Sequence, residues 1–265
     1  MPQNHTATAW AFSRHFPTAF DAGEKSFPHH YLLYASSGCF HIELAGRSWL
    51  LPTHRAALIR SGVPVRIWTQ GPVTSASVLF TPSSALAVDF DCRVFAVSEL
   101  ARGMIDHSMR WDTEQAASNP VATRMFGALA DVCLELSGQP DQFWLPRATS
   151  KDLQRAMQFS LQHLSTPLAF ADVAAAACVS ERTLARRFAD EAGMVWRDYL
   201  RRARLIAAMQ TLTDPNESIA QVALASGYES LGAFNAAFRA FTGDTPTGHR
   251  RRMRGGLSSG TLTGE

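Results

Sequence analysis

The chain has 265 residues, 46% hydrophobic and 18% charged, which is the composition of an ordinary soluble protein with enough apolar material for two domains. Its net charge of +2 is unevenly divided, with 11 Lys and Arg against 12 Asp and Glu in residues 1–150 and 14 against 10 in residues 151–254. No apolar run is long enough for a membrane span, and the positive excess of the C-terminal part suits a polyanionic partner.

Residues 27–82 have the pattern of β-structure. Phe40, Ile42 and Leu44 alternate with polar side chains, which is the period of a half-buried strand. Glycines and prolines interrupt the segment, and the runs between them predict the strands Tyr31–Ala35, Trp49–Leu51, Ala57–Arg60, Val65–Trp68 and Ser77–Thr81. Many short strands with such turns predict a small β-barrel or jelly roll, which can enclose one small ligand.

Five side chains of this segment are candidates for binding a small-molecule effector: His29, Tyr31, Tyr34, Trp49 and Trp68. The aromatic ones are as well explained as core residues. The segment is also rich in histidine, and clustered histidines can bind a transition metal. Because their spacing follows no metal-ligand pattern, no metal is predicted.

From residue 97 to residue 136 the apolar side chains recur at helical spacing, as in Ala101, Met104 and Ile105. This pattern predicts two helices that pack on the barrel or on a second subunit. Glycine and proline with polar neighbours then mark a linker over residues 138–149.

Beyond the linker, the prolines fall between helical patterns and interrupt none of them. The apolar spacing predicts helices over Lys151–Leu164, Phe170–Ala177 and Trp196–Leu212. The segment Ser180–Gly193 predicts a further helix, because it begins at an N-cap serine and ends at a glycine that can take the left-handed conformation.

The two faces of this helix differ in chemistry. Leu184 and Phe188 lie four residues apart on one face, whereas Arg182 and Arg186 lie four apart on nearly the opposite one. One face therefore packs on a core, and the other offers guanidinium groups to a partner, which we predict to be the major groove of DNA.

The helical pattern occurs twice. Residues 219–223 repeat the pattern of residues 170–174 at an offset of 49, and Ser230, Phe234 and Phe238 repeat the Ser180 pattern at an offset of 50. A repeated short helix, turn and longer helix predicts two helix-turn-helix units, over about residues 169–192 and 218–241. In DNA-binding versions the longer helix lies in the major groove.

Residues 150–252 resemble the DNA-binding domain of the AraC/XylS family of bacterial transcription regulators. The resemblance is carried by Ser180–Phe188, Gly193, Arg204–Met209, Ile219, Ala220, Ala223, Gly227–Ser230, Phe234, Phe238, Pro246 and Arg250. In the N-terminal half, Leu32–Ala35, Gly38 and Trp49–Pro52 resemble the cupin-type sensor of one branch of that family.

The resemblance implies an α+β protein of two domains. Residues 1–137 would form a cupin-like β-barrel with trailing helices, for sensing and dimerisation. Residues 150–254 would form an all-α DNA-binding domain with the two helix-turn-helix units, and residues 255–265 a flexible tail.

The resemblance also implies which side chains read DNA. In the first unit Arg182, Ala185 and Arg186 hold the positions that reach base edges, and arginine can donate two hydrogen bonds to guanine. Arg187, about a third of a turn away, is placed for a phosphate.

The second unit departs from the family. Its outward positions carry Leu231, Gly232 and Asn235, with Arg239 available for a phosphate, and Ala236 stands where many relatives have arginine. Asparagine can pair with adenine and leucine can touch a thymine methyl group. We therefore predict that the first helix carries most base discrimination and that the second supplies register and affinity.

The sensor departs from its branch as well. Relatives often carry His-x-His before the Leu32 strand and Pro-His later, whereas this chain has Phe27-Pro28-His29 and Pro64-Val65. Two of three ligands are thus missing, and the chain is predicted to hold no metal and no other cofactor.

The sequence predicts a transcription regulator that binds a double-stranded DNA operator under the control of a small-molecule effector. It would contact RNA polymerase if it is an activator, and would act as a homodimer or as a monomer. Four cysteines without a Cys-x-x-Cys pair, and no signal peptide, predict a cytoplasmic protein away from membranes. The alternatives are a cupin metalloenzyme joined to a DNA-binding domain, and a constitutive DNA binder whose barrel serves only dimerisation.

Overall fold

The computed structural model describes residues 7–84, 86–138, 143–212 and 216–255. The chain divides into two compact bodies. The N-terminal body contains Met1–Leu44 and Trp49–Gln142, and the C-terminal body contains Ala45–Ser48 and Phe143–Glu265. Residues 139–142 of the predicted linker and 256–265 of the predicted tail lie outside the described residues. Among the described helices, none has the length and hydropathy needed to span a membrane.

The N-terminal body is built mainly from strands. They are β1 (Ala9–Phe16), β2 (Phe20–Ser26), β3 (His30–Ser37), β4 (Cys39–Leu44), β5 (Arg47–Pro52), β6 (Arg55–Ile59), β7 (Pro64–Thr69), β8 (Val73–Phe80) and β9 (Cys92–Ala96). The predicted strands between residues 31 and 81 are confirmed, and the structure adds β1, β2 and β9.

These strands form two antiparallel sheets rather than one closed barrel. The first sheet has the order β1-β8-β3-β6-β9, and in the second β5, β4, β7 and β2 are neighbours in that order. The hydrogen-bonded ladder of the first sheet ends at β1 and β9, so it does not continue into the second sheet. Where the sequence predicts a small barrel or jelly roll, the described strands form a two-sheet arrangement, and the barrel is not closed.

One face of the first sheet packs against helices. Leu32 and Tyr34 of β3 belong to the same buried cluster as Ile105 and Phe126 from the helical segment. That segment folds as α1 (Glu99–Ser108), α2 (Thr113–Ala117) and α3 (Pro120–Ser137), three helices where the sequence predicts two. The extra break arises because the Asp112 and Asn119 side chains each accept hydrogen bonds from backbone N–H groups and start a new helix.

The C-terminal body is helical, as predicted. After β10 (Trp144–Pro146), a short strand within the predicted linker, it contains α4 (Lys151–Gln162), α5 (Phe170–Ala176), α6 (Glu181–Ala192), α7 (Trp196–Thr211), α8 (Ile219–Ala225), α9 (Leu231–Thr242) and α10 (Pro246–Gly255). The helices α5–α6 and α8–α9 are the two helix-turn-helix units that the repeat predicts.

Both longer helices of the repeat start and end in the same way. The Ser180 hydroxyl accepts a hydrogen bond from the Thr183 N–H at 3.2 Å, and Ser230 does the same for the Ala233 N–H at 3.2 Å. Gly193 and Gly243 end the two helices in the left-handed conformation, with φ of 64° and 77°. The capping prediction made from the sequence is confirmed.

The turn of each unit contains one left-handed residue, Cys178 in the first and Gly227 in the second, with φ of 59° and 74°. A side chain at Gly227 would have no room, because a Cβ atom there would collide with the Leu164 carbonyl oxygen and lie 2.8 Å from the Arg204 guanidinium. The second turn therefore requires glycine chiefly for close packing, since Cys178 adopts a similar backbone conformation in the first turn.

Candidate nucleic-acid interface

The outward face of α6 carries the side chains expected to read bases. Arg182, Ala185 and Arg186 are exposed, while Leu184 and Phe188 on the other face are completely buried. Within the described part of the chain, neither Arg182 nor Arg186 forms an ion pair. Two guanidinium groups therefore stand free on a helix whose opposite face is fixed in a core, as major-groove reading requires.

Arg187 lies on the flank of α6 and is bound differently from its neighbours. Its Nε lies 3.3 Å from Asp152 Oδ2 of α4, and its Nη1 lies 3.3 Å from Glu191 Oε1, one turn further along α6. Solvent reaches 42% of the Arg187 side-chain surface. The expected phosphate contact of Arg187 thus competes with two carboxylates of the same chain.

Glu191 fixes the end of α6 to the beginning of α4. Its Oε2 accepts hydrogen bonds from the Thr149 N–H at 3.0 Å, the Thr149 hydroxyl at 2.6 Å and the Ser150 N–H at 2.8 Å. Burial by itself raises the pKa of Glu191, but the hydrogen bonds from Thr149 and Ser150 outweigh it and hold the pKa at about 2. The carboxylate is therefore an ionised cap for the N-terminus of α4.

Replacing Glu191 with alanine is expected to lower the free energy of unfolding by about 2–3 kcal/mol near pH 7, because charge-assisted hydrogen bonds to a partly buried group are lost. The folded pKa lies below the unfolded value of 4.5. This stabilisation is therefore present above about pH 4.5 and disappears as the pH falls towards 2.

Denaturant unfolding of Glu191→Ala and the unmodified chain between pH 7 and pH 3 measures this difference. Glu181→Ala, which removes an exposed carboxylate from the first turn of α6, is the control. A difference for Glu191→Ala that stays constant over the whole pH range would contradict the role of the ionised carboxylate.

The outward face of α9 is less polar than that of α6. Leu231, Gly232, Asn235, Ala236 and Arg239 are exposed, and the leucine keeps 44% of its exposure. A pocket of about 430 Å³ adjoins this face. It is lined by Asn235, Ala236 and Arg239 of α9 and by Thr245, Pro246 and Thr247 around the start of α10. This helix offers one amide and one guanidinium, where α6 offers two free guanidinium groups.

Arg204 of α7 joins the segment between α4 and α5 to the turn of the second helix-turn-helix unit. Its Nε donates to the Leu164 carbonyl oxygen at 3.0 Å and its Nη2 to the Thr166 carbonyl oxygen at 2.9 Å, in the segment after α4. Gly227, in the turn of the second unit, packs directly on this arrangement. The position of the second unit against the segment before α5 therefore depends on a guanidinium and on a residue without a side chain.

The segment 143–150 contacts three helices of the C-terminal body in succession. The ring centroids of Phe143 and Phe241 of α9 lie 4.8 Å apart. The Arg202 guanidinium of α7 lies 4.8 Å from the Trp144 ring centroid, and Glu191 of α6 holds the far end of the segment. Through these contacts the segment reaches the C-terminal turns of both α6 and α9.

The candidate effector residues do not gather around one point. In the register of β3, Tyr34 pairs with Ala76 and Tyr31 with Leu79, on opposite faces of the first sheet. Tyr34 is buried under the helices, and burial raises its pKa. Tyr31 lies on the other face, where its hydroxyl forms a 3.0 Å hydrogen bond with the Ser77 hydroxyl.

The other three candidates, His29, Trp49 and Trp68, also have different neighbours. Trp68 stacks on His41 in the second sheet with centroids 3.8 Å apart, and burial lowers the pKa of His41 to about 4. His29 packs edge-on against Trp10 at 4.8 Å, and Trp49 is buried. No group of three or more His, Cys, Asp or Glu side chains suited to a metal ion occurs among the described residues.

Sequence reasoning missed the residues that position the interface, chiefly Asp152, Glu191 and the role of Arg204. The i, i+4 spacing of Arg187 and Glu191 is a local signal for an ion pair on a helix. Asp152 and the two carbonyl groups bound by Arg204 come from distant parts of the chain, so no local pattern indicates them.

The chain is similar to known regulators over both its helical part and its full length. Residues 173–252 match the family described as "Helix-turn-helix domain". The HTH-type transcriptional regulator NimR of Escherichia coli is 28% identical over 261 residues, which are 95% of this chain and 91% of the relative.

Two further relatives match over shorter stretches. The XylDLEGF operon transcriptional activator of Pseudomonas putida is 26% identical over 54% of this chain and 46% of its own length. A putative AraC-like transcription regulator of Streptomyces lividans is 37% identical over 81 residues, which are 31% of this chain and 27% of the relative.

Proposed function

We propose that this chain, a member of the AraC/XylS family of DNA-binding transcription regulators, reads its operator mainly through α6 and uses α9 for register and affinity. The observation that carries the proposal is the contrast between the two outward faces. Arg182 and Arg186 of α6 can each bind guanine through two hydrogen bonds, whereas Gly232 and Ala236 at the equivalent positions of α9 cannot.

The other contacts follow from the chemistry of each side chain. Ala185 lies between the two base-reading arginines, where a small side chain allows close approach to the groove. On α9, Asn235 would pair with adenine and Leu231 would touch a thymine methyl group. Arg239 would bind a phosphate, and Arg187 is the corresponding candidate on α6.

The operator would present two half-sites in adjacent major grooves on one face of the duplex. A single chain holds both recognition helices, so each copy of the chain would bind two half-sites whose centres lie about one helical turn apart. Residues 150–254 would form this DNA-binding domain, connected by residues 138–149 to a sensor domain over residues 1–137.

The sensor domain would be cupin-like and would bind a small-molecule effector. Tyr31 is the best-placed of the five candidates, because it lies on the sheet face away from the helices, near the rings of Phe12 and Phe27 at 6.4 and 4.8 Å. His29, Tyr34, Trp49 and Trp68 remain candidates of the same proposal. Effector binding would shift the population of DNA-competent states.

The regulator would act in the cytoplasm, as a homodimer or as a monomer, and would contact RNA polymerase when it activates. The activator among its relatives supports activation as the mode of control. Any enzymatic activity is outside this proposal, since the relatives bear the names of transcription regulators.

Sequencing of genomic DNA crosslinked to the chain in its cell tests the proposal. Recovery of a limited set of promoter regions that share a two-part motif is expected. Uniform recovery along the genome would contradict sequence-specific regulation. Small molecules related to the products of the neighbouring genes can then be tested for a change in operator affinity and in the Tm of the full chain.

A further inference from the structure

Arg187 is the one arginine of α6 that carboxylates hold in place within the described residues. Asp152 of α4 and Glu191 of α6 each lie 3.3 Å from a nitrogen of its guanidinium. With 42% of the side chain still exposed, the group lies at the surface, on the flank where recognition helices usually meet the phosphate backbone.

The two carboxylates are themselves held in position. Glu191 keeps only 12% of its side-chain exposure, and its second oxygen accepts three hydrogen bonds from Thr149 and Ser150. Asp152 keeps 16% and lies in the first turn of α4. Glu191 is held by its three hydrogen bonds and Asp152 is mostly buried, so a phosphate must compete with both carboxylates for Arg187.

The second helix-turn-helix unit has no such arrangement. Fifty residues further on, Ala237 replaces Arg187 and Phe241 replaces Glu191, and Phe241 packs on Phe143. The structural requirement for anchoring the end of a recognition helix is met there by an apolar contact. A charged cluster is therefore not needed for the fold of such a unit.

We propose that Asp152 and Glu191 restrain Arg187 and weaken its contact with the phosphate backbone, which lowers the sequence-independent part of DNA binding. The proposal rests on the proposed function, since it concerns the same recognition helix. Phosphate contacts give affinity without sequence information. If the phosphate contact of Arg187 is weakened, binding that does not depend on sequence falls, while Arg182 and Arg186 stay available for bases.

The test removes both charges and keeps one acceptor oxygen on each side chain, in the double variant Asp152→Asn, Glu191→Gln of the full chain. Binding to a labelled mixed-sequence duplex is titrated over a range of salt concentrations. The slope of log affinity against log salt is expected to steepen by about 0.9, the value for one added phosphate contact. Between about 50 and 200 mM salt this corresponds to about a threefold greater loss of affinity.

Adding Arg187→Ala to the double variant is expected to abolish this steepening, so that the triple variant has the same slope as Arg187→Ala alone. The matched control is Glu181→Gln, Asp190→Asn, which removes two exposed charges from the same helix. Its effect on the slope is expected to be independent of Arg187. Asp152→Asn alone, which leaves the Glu191 cap intact, is expected to shift the slope in the same direction by less.

Three results would overturn the inference while leaving the proposed function intact: a slope that does not change in the Asp152 and Glu191 variants, a change that survives Arg187→Ala, or an equal Arg187-dependent change in the control pair. Absence of salt-dependent duplex binding by the unmodified chain would instead overturn the proposed function and the inference together. Melting curves of each variant verify that the compared proteins are folded.

Discussion

Replacing Arg186 with alanine is expected to weaken binding to the operator by about 1–3 kcal/mol and to relax selectivity at one base position. The exposed guanidinium has no ion-pair partner among the described residues, so its loss leaves no buried charge behind and costs the fold little. The loss of affinity therefore reports contacts to DNA. Arg182→Ala should behave in the same way at a second base position.

Titration of the operator and of a scrambled duplex at one salt concentration measures the effect. Arg110→Ala, which removes an exposed arginine from the N-terminal body, is the charge-matched control and should lower both affinities only slightly. Equal losses on operator and scrambled DNA for Arg186→Ala would contradict base reading by this side chain.

Replacing Gly227 with alanine is expected to destabilise the C-terminal body by about 3–5 kcal/mol and to abolish specific DNA binding. A Cβ atom would collide with the Leu164 carbonyl oxygen and lie 2.8 Å from the Arg204 guanidinium. The hydrogen bond from Arg204 Nε to the Leu164 carbonyl oxygen would have to break, at about 1.5–3 kcal/mol for a charged donor. The left-handed backbone adds about 1–2 kcal/mol.

The chain supplies a matched control in Gly243. Its φ of 77° is similar to the 74° of Gly227, but nothing lies within 4 Å of a Cβ atom built there. Gly243→Ala should therefore cost only about 1–2 kcal/mol, which is the cost of the backbone conformation alone. Denaturant unfolding of both variants separates strain from collision, and equal losses would contradict the packing argument.

The helices of the C-terminal body are well predicted from sequence because their ends carry local signals. Ser180 and Gly193 determine the bounds of α6 through their own side chain and backbone freedom, and Ser230 and Gly243 do so for α9. The strands β1 and β9 depend on pairing with β8 and β6, which are distant in sequence. Their own residues carry too weak a pattern to indicate them.

The candidate effector residues show what aromatic composition alone leaves undetermined. Tyr31 and Tyr34 are three residues apart in one strand, and an odd spacing in a strand sends side chains to opposite faces. Their aromatic character suggested a shared pocket, but the strand period separates them. Arg187 shows a second limit, because its carboxylate partner Asp152 is brought close only by the packing of α4 on α6.

Selection of bound sequences from a random duplex library, performed with the unmodified chain and with Arg186→Ala, tests the division of labour between α6 and α9 most directly. The unmodified chain should enrich two half-sites about one helical turn apart, with the stronger base preference, including guanine, in the half-site read by α6. Arg186→Ala should lose one guanine from that half-site and leave the other half-site unchanged. Enrichment of no motif, or loss of preference confined to the half-site read by α9, would contradict the account.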